Sequence, residues 1–373
     1  MKKALAILMI LALVGSAAFA EITFGAWGRG VFVPVQNSGA SNEDSTATNK
    51  ASWGGAPRIG FTISGVSDNV GFQADMNVDG GNVSTGDQQK IWVKPFSMLT
   101  LTIGNAYDDT LRGNAAFGSF NWDRNMGTWT GEDVTFTRIA TSATKTAYNA
   151  GDAIGVQKGP YGQGVIAALK PNDAIYVAFA LSDVNGGLTE NLAKNIQIAA
   201  GYTIDGIGQI RAQYMSNYLG TISYAGMNYI VDDTIGQNEV ALKLTADENL
   251  YADFGIRMFT NDDYQGETKT ISAYANYKVD AALIHALVIY DLNEEDDGYN
   301  IAAGLDYSLA GGLGVAADIR YTNDIKSGGD DATTAFFGGV TKGFSNGKIG
   351  AGVEVKSAAD TGYSIPVVFE YWF

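Results

Sequence analysis

Tyr363-Ser364-Ile365-Pro366-Val367-Val368-Phe369-Glu370-Tyr371-Trp372-Phe373 closes the sequence, and it has two faces. Tyr363, Ile365, Val367, Phe369, Tyr371 and Phe373 recur at every second position and are all apolar or aromatic. Ser364, Pro366, Val368, Glu370 and Trp372 fill the positions between. Period-two alternation marks a β-strand whose sides meet different surroundings. Pro366 has no N–H for a ladder hydrogen bond, so it should sit at a gap or bulge in this strand.

The same alternation recurs upstream. In Ile196–Ile204, Ile196, Ile198, Ala200, Tyr202 and Ile204 share one face, and Gln197, Ala199, Gly201 and Thr203 share the other. Residues 70–78, 271–279, 313–321 and 349–355 follow suit. Segments of about ten residues are what a tilted strand needs to cross a bilayer. A soluble sandwich would also alternate, but two features separate the cases. The polar face is rich in Gly, Ala, Ser and small amides, which suits a crowded or wet lumen. Aromatics sit near the ends of the apolar stripes (Tyr202, Tyr214, Tyr277, Tyr290, Tyr307, Tyr321), as in the aromatic girdles of membrane barrels.

The connections keep a rhythm. Short ones at 65–69, 94–97, 171–173, 204–207, 247–249, 280–281, 310–312 and 345–347 take turns with long polar ones, such as 36–56, 107–163, 218–237 and 323–333. The expectation is therefore an all-β, antiparallel, up-and-down transmembrane barrel. The count gives about 18 strands, with 16 as the alternative because of residues 153–170 and 218–236; either size leaves an aqueous channel.

Bulk properties agree. Lys2 and Lys3, the apolar run 4–14 and the Ala18-Phe19-Ala20 site read as a signal peptide over 1–20, with the barrel over 21–373. No later apolar run is long enough for a membrane helix. There is no cysteine, so stability has to come from elsewhere, such as a closed hydrogen-bonded barrel. A net charge of −16 makes nucleic acid an improbable partner.

These residues carry a resemblance. The closing strand resembles the signal read by the barrel-assembly machinery, with Phe373 as terminal aromatic and Tyr371 and Phe369 two and four positions earlier. With the signal peptide, the chain resembles Gram-negative outer-membrane porins, of the general or the sugar-porin kind. The opening at 21–30 and Trp92-Val-Lys-Pro-Phe96 are similar to spirochaetal outer-membrane proteins. The resemblance implies residence in outer-membrane lipid, often as a homotrimer. It also implies a long loop after strand five, here 107–163, folded into the lumen as a constriction.

The candidate site residues follow. If the Ile196 register faces lipid, the lumen wall carries Arg29, Arg58, Lys90, Lys94, Arg211, Lys243, Arg257, Lys278, Arg320 and Lys356, with Asp75, Glu239, Asp253, Asp306, Asp318 and Glu354. The candidate constriction loop holds Asp108, Asp109, Asp123, Glu132 and Asp133 with Arg112, Arg124 and Arg138. Acids on such a loop facing bases on the wall would set a crossing field that orients polar solutes; solvated loop charges are the other reading. Trp92, Tyr176, Tyr251, Phe259 and Tyr274 form either an aromatic slide for sugars or packing for the inward loop.

Other chemistry is thin. Asp75-Met76-Asn77-Val78-Asp79-Gly80 opens like an EF-hand, but position twelve is Gly86 instead of the required Glu. Weak Ca²⁺ binding by acidic loops is the more plausible metal reading. His285 is the lone histidine, so a histidine-dependent hydrolase or zinc site would have to use it. No cofactor motif is present. The leading expectation is a non-enzymatic passive channel for small polar solutes. A surface adhesin or structural barrel is the alternative.

Overall fold

Strands with unlike faces must agree with their neighbours on which face is which, because a slip of one residue turns every side chain over. In a computed structural model the described strands meet this demand, apart from register shifts between Ala74 and Met76, Val93 and Phe96, and Leu244 and Asp247. The structure describes residues 21–37, 39, 43–48, 57–79, 82–106, 108, 110–111, 164–181, 196–218, 221–224, 227–230, 234–259, 269–292, 298–323, 332–357 and 360–373. The signal-peptide reading of 1–20 lies outside these residues.

The first half of the wall comprises β1 (Glu21–Asn37), β2 (Arg58–Ser67), β3 (Val70–Asp79), β4 (Asn82–Phe96), β5 (Leu99–Asn105), β6 (Gly164–Leu169), β7 (Ile175–Leu181), β8 (Ile196–Ile204) and β9 (Gly208–Tyr218). The second half comprises β10 (Thr234–Asp247), β11 (Leu250–Phe259), β12 (Lys269–Val279), β13 (Ala282–Leu292), β14 (Gly298–Leu309), β15 (Leu313–Asn323), β16 (Thr333–Phe344), β17 (Gly347–Ser357) and β18, whose two parts are Thr361–Ser364 and Val367–Trp372. Each pairs antiparallel with the next, and β18 pairs with β1, giving a closed barrel of 18 strands. The sequence count of 18 stands, and 16 is set aside. Ser45–Thr48 adds a short strand beside the upper half of β1, and Thr221–Tyr224 with Met227–Ile230 forms a separate small hairpin.

Closure follows the closing sequence. Trp27 to Phe32 run against Trp372 to Val367. The Phe373 N–H donates to the Ala26 carbonyl at 2.7 Å, and the Ala26 N–H returns a bond at 3.2 Å. β18 breaks at Ile365-Pro366, the place where the missing donor requires a gap.

One barrel face is exposed and apolar: Ile103 is 64% exposed, Ile319 and Phe336 each 51%. Their alternating partners are buried, including Arg211, Asp253, His285, Asp318, Arg320 and Glu354. So broad an apolar surface in water would drive association, whereas a bilayer is its natural solvent. Tyr202, Tyr277, Tyr307 and Tyr371 are exposed on this face close to the short-turn rim. Tyr299 and Tyr321 pair at the opposite rim, ring centroids 5.6 Å apart.

The two rims differ as the rhythm of connections predicts. One carries only tight turns, such as Asp280-Ala281, where Asp280 takes φ 52°, a left-handed conformation its short polar side chain tolerates. The other carries the long connections, with two short exceptions: β3 and β4 are separated only by residues 80 and 81, and β17 and β18 only by residues 358–360.

Candidate pore wall and loop anchor

The long connection after β5 begins by turning into the barrel. Ala106 and Leu111, at its root, are buried with Ile166, Ala168, Tyr176, Ala178, Ala180 and Ala199, inward residues of β6, β7 and β8. Alanines on alternate positions leave a low shelf on the inner wall, and Gly201 lowers it further. A Cβ on Gly201 would come within 2.2 Å of Leu111 Cδ2. A side chain at 201 would make the Leu111 side chain move, so the glycine serves close approach rather than a backbone angle.

Arg211, inward on β9, clamps this root. Its Nη1 donates to the Leu111 carbonyl at 2.9 Å, and its Nη2 pairs with Asp253 Oδ1 on β11. Both side chains are 0% exposed. Tyr251 Oη donates to Asp253 Oδ2 at 2.7 Å, and Lys243 on β10 is the cross-strand partner of Asp253. A buried ion pair holds its place only when further hydrogen bonds satisfy the remaining polar atoms. Here the Leu111 carbonyl and the Tyr251 hydroxyl do part of that work. Asp108 Oδ1 accepts from the Thr110 N–H at 2.9 Å and shapes the turn just before Leu111. Asp109, Arg112, Asp123, Arg124, Glu132, Asp133 and Arg138 lie outside the described residues.

The other wall residues form separate groups. Arg29 Nε pairs with Glu370 Oε1 at 2.8 Å, and Lys348 Nζ reaches Glu370 Oε2 at 3.3 Å. The Arg29 guanidinium also stands 4.9 Å above the Trp27 ring. Arg58 lies between Arg29 and Asp79 in cross-strand register. Lys90 hydrogen-bonds Gln88 Oε1, and Lys94 Nζ sits 5.2 Å from the Trp92 ring centre. Arg320 Nε lies 3.5 Å from Asp318 Oδ1, both buried. Arg257 stands opposite Glu239 in register, and their side chains lie outside the described residues. Lys278 and Lys356 keep the inward parity of Tyr274 and Glu354 on their own strands.

Register also aligns one inward row across the second half of the barrel: Tyr251, Asn276, His285, Gly304, Asp318, Phe337 and Glu354 are successive cross-strand partners. His285 is buried, its Nε2 3.9 Å from Asp306 Oδ2. Of the aromatics, Tyr251 and Tyr274 meet with centroids 6.1 Å apart, while Tyr176 belongs to the loop-root shelf. Trp92, on β4, is remote from them in the strand order.

The EF-hand-like stretch is strand, and Asp75 is already engaged by Thr62 Oγ1 at 2.9 Å, the Gln88 N–H at 3.0 Å and the Gln73 amide. Among the described residues no group of three or more His, Asp or Glu is placed to hold a metal. The sequence reading missed Leu111 and Gly201. An alternating face of Ala and Gly over 166–201 was the available signal, but it does not say which loop residue lies on it.

Comparison with known structures agrees with the fold. The chain is similar to Acinetobacter baumannii OccAB4, with TM-score 0.57 and 9% identity over 95% of this chain and 98% of that one. It is also similar to Pseudomonas aeruginosa OpdQ, with TM-score 0.54 and 11% identity over 95% and 97%. An anion-selective porin from Comamonas acidovorans aligns over 95% of this chain and 100% of its own, at 10% identity and TM-score 0.48, too distant to carry an argument. No protein-family model and no curated protein sequence matches the chain.

Proposed function

We propose that the chain is an outer-membrane porin: a passive channel for small hydrophilic solutes and ions, with a weak charge preference set by its mixed inner wall. The observation that carries this reading is the root of the long loop. Its turn into the lumen, clamped by Arg211 on the far side of a shelf of alanines, is what a channel needs in order to narrow its bore without filling it. The charge distribution supports it as well. Arg or Lys facing lipid at mid-membrane would cost roughly 2–4 kcal/mol each, and Arg211 and Arg320 are buried on the inner register. A polar wall and a width limit suffice for selective diffusion, and nothing in this reading asks for catalysis.

The same proposal includes export by the 1–20 segment, with the tight turns in the periplasm and the long connections outside. It also includes recognition of Phe369, Tyr371 and Phe373 during assembly. Phe369 and Tyr371 are exposed on the apolar face, and Phe373 is 75% exposed, so all three are accessible as an assembly signal. A homotrimer is part of the proposal by analogy of fold.

Single-channel recording of the refolded protein in planar bilayers tests the reading. Stable ohmic steps are expected, lowered by small sugars that enter the bore and unaffected by polymers too large to enter it. A barrel that inserts and carries no current would overturn it and favour the adhesin reading. Neutralising Asp108 and Asp109 should shift the reversal potential in a salt gradient; no shift would remove that pair from the current path.

A further inference from the structure

Two places on the inner wall are built alike. Trp27 on β1 and Gly60 on β2 are cross-strand partners, and so are Trp92 on β4 and Gly71 on β3. A Cβ on either glycine would run into the indole opposite, so each ring lies across its neighbour's bare backbone. Both rings are on the inward register. Trp27 has the parity of the buried Val31, and Trp92 stands between the exposed, outward Ile91 and Val93. Each has a cation two residues further along its own strand. The Arg29 guanidinium is 4.9 Å from the Trp27 ring centre, and the Lys94 ammonium is 5.2 Å from that of Trp92.

The two places differ in their third part. Glu370 completes the first: its carboxylate accepts from Arg29 Nε at 2.8 Å and meets Lys348 Nζ at 3.3 Å. The second has no acid of its own. Among the described residues no Asp or Glu pairs with Lys94. Lys90, two residues before Trp92, adds positive charge, its ammonium on Gln88 Oε1. Asp75 on β3 is taken up by Thr62, Gln73 and the Gln88 N–H.

The second place is also within reach of a solute. Trp92 is half-buried and Lys94 exposed, whereas Tyr176 and Tyr274, two other inward aromatics, are buried. Both stand at the short-turn mouth of the bore, where the Lys94 N–H donates at 2.7 Å to the Asn69 carbonyl in the turn between β2 and β3. A cation over a ring is held weakly at an exposed site, and the long lysine stem lets the ammonium move from the ring to its edge.

We infer that Trp92 and Lys94 form a binding site for an aromatic anion at the short-turn mouth, the solute's ring stacked on the indole and its negative group taken by the Lys94 ammonium. The first place names the charge, because there Glu370 supplies the anion beside a cation over an indole. The indole names the ring, because two flat rings in offset contact gain more than their buried area alone provides. The inference gives the channel a solute class and rests on the channel reading.

Ligand-observed NMR titration of the refolded full chain in detergent with benzoate tests this. Saturable binding is expected, weakened by added salt. Benzyl alcohol keeps the ring without the charge, and cyclohexanecarboxylate keeps the charge without the flat ring; both should bind more weakly than benzoate. Lys94→Gln should weaken benzoate roughly threefold, as for one exposed charge contact, and Trp92→Leu roughly fivefold, as for one ring pair. Lys348→Gln, which removes an equal charge at the place Glu370 completes, should leave it unchanged. Equal losses in Lys94→Gln and Lys348→Gln would reduce the effect to net charge and overturn the site. Either analogue binding as tightly as benzoate would overturn it too. Conductance is recorded on the same proteins: conduction without saturable benzoate binding overturns the site alone, and binding without conduction overturns the porin reading alone. Should Trp92→Leu fail to fold, Lys94→Gln set against Lys348→Gln still decides.

Discussion

Arg211 donates to the Leu111 backbone carbonyl at 2.9 Å, joining residues 100 positions apart. The bond ties the start of the longest connection to the inner wall, and the same guanidinium neutralises Asp253.

Removing the guanidinium should therefore do two things. Arg211→Ala leaves Asp253 buried without its main counter-charge, a loss of about 3–5 kcal/mol in comparable sites. It also frees the loop root. Urea unfolding of the barrel should report the first, and flickering or enlarged single-channel steps the second. Arg211→Lys should rescue poorly, because an ammonium cannot hold Leu111 and Asp253 in one planar fork. Unchanged conductance in Arg211→Ala would mean that the root does not shape the pore.

Gly201 and Leu111 should behave as a pair. A Cβ at 201 collides with the leucine side chain, so Gly201→Ala should displace the root and alter conductance while the barrel still forms. Leu111→Ala opens room, and the double variant should recover toward wild type. Such a coupling between touching residues is typically about 0.5–3 kcal/mol. Additive effects would show that the two do not meet.

Acid should loosen the end of the β1–β18 pairing at Asn37 and Tyr363. Tyr363 Oη donates to Asp44 Oδ1 at 2.6 Å, and Asn37 Nδ2 donates to it at 3.1 Å. The Tyr363 hydrogen bond, then that of Asn37, holds the Asp44 carboxyl below its usual value. A lowered folded-state pKa means that the contribution is present above the unfolded value of about 3.9 and is lost as pH falls through the folded value. The protection factors of residues 36, 37 and 39, taken against the intrinsic exchange rate at each pH, should thus fall on acidification, and in Tyr363→Phe they should be low at every pH. Equal protection at neutral pH in both proteins would show that the contact is idle.

The last residue should matter to closure. Deleting Phe373 removes both backbone bonds to Ala26 and the terminal aromatic. Folding yield into liposomes, read as the heat-modifiable band, should fall. Phe373→Leu, which keeps the backbone, separates the two contributions: a full yield in vitro with poor assembly in cells would assign the ring to recognition.

The barrel was legible because alternation records the two solvents of a strand directly. Phe369 beside Glu370, or Ile319 beside Arg320, already states which side chain meets lipid and which does not. Strand count and closure came from the same signal, since each tight turn interrupts it. Pro366 announced its own gap, because a missing donor is a local property.

The loop anchor is of another kind. Leu111 is one leucine among many, and Gly201 one of 47 glycines. Arg211 could be assigned to the inner face but not to a partner. The pairing of β1 with β18 likewise brings together residues from opposite ends of the chain.

The sequence by itself determined a closed barrel with an apolar outside and a charged inside, because periodicity is a property of neighbours along the chain. Only the tertiary structure decided that Arg211 clamps Leu111 over Gly201 and that Gly30 meets Phe369 across the closing pair. Those contacts depend on the register in which distant strands meet, and two strands with the same alternation can share a face at many registers. Closing 18 strands into one barrel leaves a single consistent set.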